Sequence, residues 1–80
     1  MEHIKIYHSR ELEHKGRTIV VEGPVPPDRL ETMEMHRDLD AFRPPDEQHK
    51  ALIEIAGLPE GRIIIARDGN TIVGYVTFHY

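Results

Sequence analysis

The chain has no cysteine among its 80 residues. That removes disulfide stapling, thiolate nucleophiles and cysteine-based zinc fingers together, so the apolar core alone must carry stability. Serine is almost missing too. Ser9 is the single example, set in a polar stretch without the strained strand-to-helix turn that arms a nucleophile. No apolar run approaches the length needed to cross a bilayer. The opening residues Met1-Glu2-His3-Ile4-Lys5 lack the basic patch and apolar stretch of a secretion signal, which points to the cytoplasm. Basic clusters are absent as well. The ten Lys and Arg are scattered and the formal charge is −4, so nucleic-acid binding has no electrostatic support.

What is present is an ordinary folded composition. Hydrophobic residues make up 39% and charged residues 30%, which argues against a disordered tail. The length allows one small domain or one part of a larger one. Repeats and low-complexity tracts are not seen.

Along the chain, Ile4-Lys5-Ile6-Tyr7-His8 alternates weakly and predicts a short edge strand. Ser9 to Gly16 is polar, with Glu11 and Lys15 four residues apart, and reads as a helical turn or a loop. Thr18 to Glu22 is rich in β-branched residues and closed by Gly23-Pro24, a strand that could pair with the first segment in either direction. Pro26-Pro27-Asp28 is a helix start, and a short, poorly amphipathic helix is expected over Asp28 to His36. Asp38 to Pro45 reads as a connection anchored by Leu39 and Phe42. A second helix is expected over Pro45 to Ala56, with Leu52, Ile55 and Ala56 as its core stripe and Ala51 alongside. Its N-terminal acids suit the helix dipole, and Gly57 is expected to take a left-handed cap.

Residues 62–80 then read as a β-hairpin. The first arm is apolar at Ile63, Ile64, Ile65 and Ala66, so both of its faces call for burial. Asp68-Gly69-Asn70 supplies the turn. Strict alternation puts Ile72, Gly74, Val76 and Phe78 on one face of the second arm, and Val73, Tyr75, Thr77 and His79 on the other. Gly74 inside that strand signals a bulge or a close backbone approach, not a phosphate loop. The second arm still runs at Tyr80, so the chain is expected to open a larger domain. The order of elements is strand or strand pair, helix, helix, strand, strand. It predicts an α/β (α+β) fold, an incomplete mixed sheet with two helices inserted ahead of a hairpin.

Candidate chemistry is thin. The six histidines, at 3, 8, 14, 36, 49 and 79, show no i,i+4 pair and no HExxH spacing. Glu34-His36-Asp38 is the nearest approach to a cluster, and a metal site is rejected. Glu54, Glu60 and His79 could in principle move protons, but their positions alone single none of them out as catalytic. Met33 and Met35 read as core filler or adaptable surface. Phe42-Arg43-Pro44-Pro45 joins an aromatic, a guanidinium and two stiff prolines in a loop. Phe42 and Arg43 are therefore the candidate substrate-binding residues, set against the plainer reading of a helix-entry turn with Phe42 in the core.

A strand, two helices and the hairpin IIIARDGNTIVGYVTF resemble the N-terminal half of a GCN5-related N-acetyltransferase. Residues 41–78, with MEHIKIYHS and VEGPV ahead of them, are similar to the members of that family that serve acetoin utilization in bacilli. The resemblance implies acetyl-CoA-dependent transfer to a protein lysine, with acetyl-CoA synthetase as the acceptor. It also implies that the helices shape the acceptor side and that the hairpin forms central strands. The family holds acetyl-CoA through a loop of the form Q/R-x-x-G-x-G/A leading into a helix, and no Arg or Gln here has a glycine three residues on. No cofactor-binding residue is therefore assigned, and the 80 residues alone are expected to be catalytically silent. The competing reading is a small interaction module that pairs strands, most simply as a homodimer through exposed hairpin edges.

Overall fold

The computed structural model describes residues 6–37 and 44–79. The first described elements are β1 (His8–His14) and β2 (Arg17–Gly23), which pair antiparallel across a tight turn at Lys15 and Gly16. Both turn residues have positive φ, 51° and 77°, as a two-residue hairpin turn requires. Ser9 to Gly16 is thus strand and turn, not the helical turn or loop expected. Every residue of β1 is exposed, so no apolar face in the sequence advertises it. Its backbone pairing with the β-branched β2 makes it a strand. The edge strand expected over Ile4 to His8 begins outside the described residues, and Ile6 and Tyr7 belong to no strand.

The helix α1 (Pro27–Glu31) is shorter than expected. Thr32 closes it, its Oγ1 hydroxyl donating to the Arg29 carbonyl at 2.8 Å. Met33 then turns into the core, and β3 (Glu34–Met35) adds a two-residue parallel strand to the sheet. The second helix, α2 (Pro45–Gly57), starts where its prolines and acids place it. Gly57 ends inside the helix, and the left-handed cap is not formed. Leu58 before Pro59 is extended instead, as a residue preceding proline prefers, and that stops the helix.

The hairpin is β4 (Gly61–Asp68) and β5 (Thr71–His79), joined by Gly69 at φ 60° and Asn70. The sheet order is β1-β2-β4-β5-β3, antiparallel except where β3 meets β5. Both helices lie on one face. Leu30 of α1 and Leu52 and Ala56 of α2 pack on Ile63, Ile65 and Ile72, with Val25 and Met33 completing the core.

Two expectations about the hairpin are corrected. Pairing slips by one residue between Ala66 and Arg67, leaving Val73 as a bulge beside Gly74. The bulge turns Ile72 to the helix-covered face with Tyr75, while Gly74, Val76 and Phe78 share the other. Strict alternation across 72–78 therefore fails at this one point. Burial of β4 on both faces fails too: Ile63 and Ile65 are buried under the helices, but Ile64 is only half-buried and its partner Val76 is 61% exposed.

Candidate functional site

Three features could carry chemistry. The first is a groove between the α1–β3 corner and the start of α2, about 310 Å³, lined by Met33, Glu34, Met35, Pro45, Asp46 and His49. The methionine stems make an apolar wall, and two carboxylate residues stand at its rim. The His49 ring bonds through Nε2 to the Leu30 carbonyl. A carbonyl can only accept, so the Nε2–H is the donor of this bond. Behind the groove the buried Gln48 accepts a hydrogen bond from the Tyr75 hydroxyl at 3.4 Å. Phe42 and Arg43, the substrate-binding candidates of the sequence, lie outside the described residues, as does the Leu39 anchor. Glu54 and Glu60 are exposed and line none of the cavities described here, and His79 ends β5.

The second feature went unnoticed in the sequence. Glu22, at the end of β2, is 3% exposed and faces the helices. Arg29 of α1 reaches it at 2.9 Å and Arg67 of β4 at 3.2 Å. Arg29 also donates to the Tyr7 hydroxyl at 2.7 Å and lies 5.6 Å from the ring centre. Burial pushes the Glu22 carboxyl up. Hydrogen bonds from Tyr7 and Arg67 and the charges of both arginines outweigh it, and the net shift is downward. Tyr7 shifts the other way, raised by burial and by its hydrogen bond to Glu22. The available signal was parity: Glu22 shares the inward face with Val20, and a charge there demands partners. The network ties α1 and the segment before β1 to the sheet.

The third feature is a concavity of about 670 Å³ on the helix-free face, with Ile6, Val21, Ile64 and Phe78 as floor and His8 and Arg10 at its edge. Arg62 enters it from below, its Nη1 donating to the carbonyls of Pro59 at 2.9 Å and Gly61 at 3.0 Å. Among the described residues no three His, Asp or Glu groups converge as metal ligands, and no helix is long and apolar enough to cross a membrane.

Neither helix offers a seat for the pyrophosphate of acetyl-CoA. α1 begins at Pro26-Pro27 and α2 at Pro44-Pro45, which donate no amide; the amides of Arg29 and Leu30, and of Glu47 and Gln48, are turned to the Pro26 and Pro44 carbonyls, and the remaining first-turn residues, Asp28 and Asp46, carry carboxylates that repel an anion. No glycine-rich loop precedes either one. The residues described here do not fit that group.

Five strands with two helices on one face form the mixed α/β, incomplete sheet that the sequence led us to expect, matching an incomplete acetyltransferase-like fold. No family model matches the chain. The chain is 62% identical, over all 80 residues, to the acetoin utilization protein AcuA of Bacillus subtilis, and 59% identical to that of Bacillus licheniformis. It spans 38% of the length of each. The crystal structure of an acetoin utilization protein from Exiguobacterium sibiricum superposes with a TM-score of 0.89 at 52% identity, covering 94% of this chain and 36% of that one. The chain is homologous to the N-terminal part of AcuA.

Proposed function

We propose that the chain is the acceptor-side part of an acetyl-CoA-dependent protein lysine N-acetyltransferase linked to acetoin and acetate metabolism, with acetyl-CoA synthetase as the acceptor. The observation that carries this reading is the unbroken 62% identity to AcuA across a segment that makes up 38% of that protein. The groove at the start of α2 supports it. Met33 and Met35 suit the four methylenes of a lysine, and Glu34 and Asp46 suit its ammonium. Phe42 and Arg43 come just before the start of α2 in the chain and remain the proposed contacts to the acceptor protein. The acetyl donor is held by residues outside the 80 described by the sequence, so these residues alone transfer no acetyl group and bind no acetyl-CoA.

The test is a chimera in which this chain replaces the matched region of Bacillus subtilis AcuA. Incubated with acetyl-CoA and acetyl-CoA synthetase, it is expected to acetylate a lysine of the synthetase. A folded chimera that leaves the synthetase unmodified, where AcuA itself modifies it, would contradict the proposal. Saturable, tight binding of acetyl-CoA by the 80 residues alone would contradict the division of labour.

A second reading has one observation in its favour. Among the described residues β5 is paired on its outer side only at Thr71 and Ile72, so most of its length remains a sheet edge. Such an edge could pair with another chain and make the protein a homodimerising module. A monomer by sedimentation at high concentration would rule that out.

A further inference from the structure

We infer that Asn70, in the turn between β4 and β5, is a positioning residue for the groove between the α1–β3 corner and α2, acting through that corner. The inference deepens the acceptor-side reading and rests on it. An asparagine in a hairpin turn is ordinarily explained by a left-handed backbone. That explanation fails here, because the positive φ of this turn belongs to Gly69 and not to Asn70. The side chain is used elsewhere. Asn70 Nδ2 donates to the Thr32 carbonyl at 2.7 Å, across 38 residues of sequence. A carbonyl only accepts, so this contact fixes which way the amide points. The Asn70 carbonyl in turn accepts the Glu34 amide at 3.0 Å. One residue thus grips the chain on both sides of Met33.

That grip bears on the groove directly. Met33, Glu34 and Met35 form one wall, and Pro45, Asp46 and His49 the other. Thr32 and Met33 belong to no helix or strand, so bonds from neighbouring elements set their place. The corner is tethered from two sides. The His49 ring donates to the Leu30 carbonyl from α2, and Asn70 holds Thr32 and Glu34 from the sheet. The His36 amide, bonded to the Ile72 carbonyl at 2.9 Å, keeps the far end of β3 on β5 whatever residue stands at 70. Removing the Asn70 amide therefore frees the Thr32–Met33 end of the wall and leaves the rest in place. A lysine entering the groove would meet the spacing between the methionine stems and Asp46, and a displacement of about 1 Å there is enough to weaken its capture. Thr32 and Asn70 are both exposed, so a change at 70 leaves the core intact.

The test uses the AcuA chimera carrying this chain, with Asn70→Asp and Asn70→Ala. Aspartate suits a turn as asparagine does, but it lacks the donor. Both variants are expected to raise KM for acetyl-CoA synthetase about three- to tenfold and to leave KM for acetyl-CoA within about twofold. Both should melt within about 4 °C of the unsubstituted chimera. An unchanged KM for the synthetase in both variants would overturn the inference. A rise with alanine alone would do the same, since it marks a residue that serves only the turn. A fall in kcat with both KM values unchanged would also overturn it, since that marks a general loss of active enzyme. If the unsubstituted chimera modifies no lysine, the acceptor-side reading itself fails and takes this inference with it. An active chimera beside unaffected variants overturns this inference alone.

Discussion

Glu22 and Gly23 show how closely single residues are held at the end of β2. The Glu22 carboxyl titrates below its ordinary value of 4.5. A depressed carboxylate contributes stability in full above the unfolded value and loses it as pH falls through the folded one. Glu22→Gln should therefore cost about 2 kcal/mol at neutral pH, less than for a fully buried pair because Arg29 and Arg67 reach solvent. In urea titrations the gap between the two proteins should close as pH drops below 4.5, and a constant gap would refute the ionic account. At Gly23 a Cβ would lie 2.6 Å from the Ile63 carbonyl oxygen and 2.9 Å from the Ile64 Cα. Both are backbone atoms that cannot swing away. Gly23→Ala should then destabilise by about 2 kcal/mol, measured by the same unfolding curves. For Glu22 the sequence held only the hint of parity with Val20, and for Gly23 it held nothing. A glycine before a proline reads as a strand end, and only the three-dimensional crossing of β2 and β4 shows what it must avoid.

Among the elements, the strongly patterned ones were legible and the polar or very short ones were not. Thr18 to Glu22, α2 and the hairpin announced themselves through β-branched runs, a proline and acid start, and a turn around Gly69. β1 has no apolar face to read, and its strand state comes from the neighbour it pairs with. β3 is two residues long, and only tertiary packing turns Glu34 and Met35 from helix to strand. The bulge at Val73 was signalled by Gly74, but not its effect on parity. Deleting Val73 should restore regular pairing with Gly74 still opposite Ala66 and Ile72 still opposite Arg67, so Ile72 stays under the helices. Stability is expected to stay within about 1 kcal/mol of the parent. A loss of several kcal/mol in that deletion, by thermal or urea unfolding, would show that Val73 does more than shift the register.

At the scale of the whole molecule, one sheet presents a helix-covered face and an open one, and the helix starts are unsuited to phosphate. The sequence pattern did not carry the first half of that description, because Ile63 to Ala66 called for cover on both sides and only one side has it. It could not say which side the two helices would take. The groove of Met33, Met35, Asp46 and His49 was hidden for a simpler reason: its residues are distant in sequence and each looks ordinary by itself. Together these features describe a unit able to shape an acceptor site while leaving the acetyl donor to other residues. The most direct measurement is mass spectrometry of acetyl-CoA synthetase after incubation with acetyl-CoA and the AcuA chimera carrying this chain, beside the 80 residues alone. The account predicts acetyl-lysine with the chimera and none with the 80 residues. Acetyl-lysine from the 80 residues, or none from a folded chimera under conditions where AcuA acts, would contradict it.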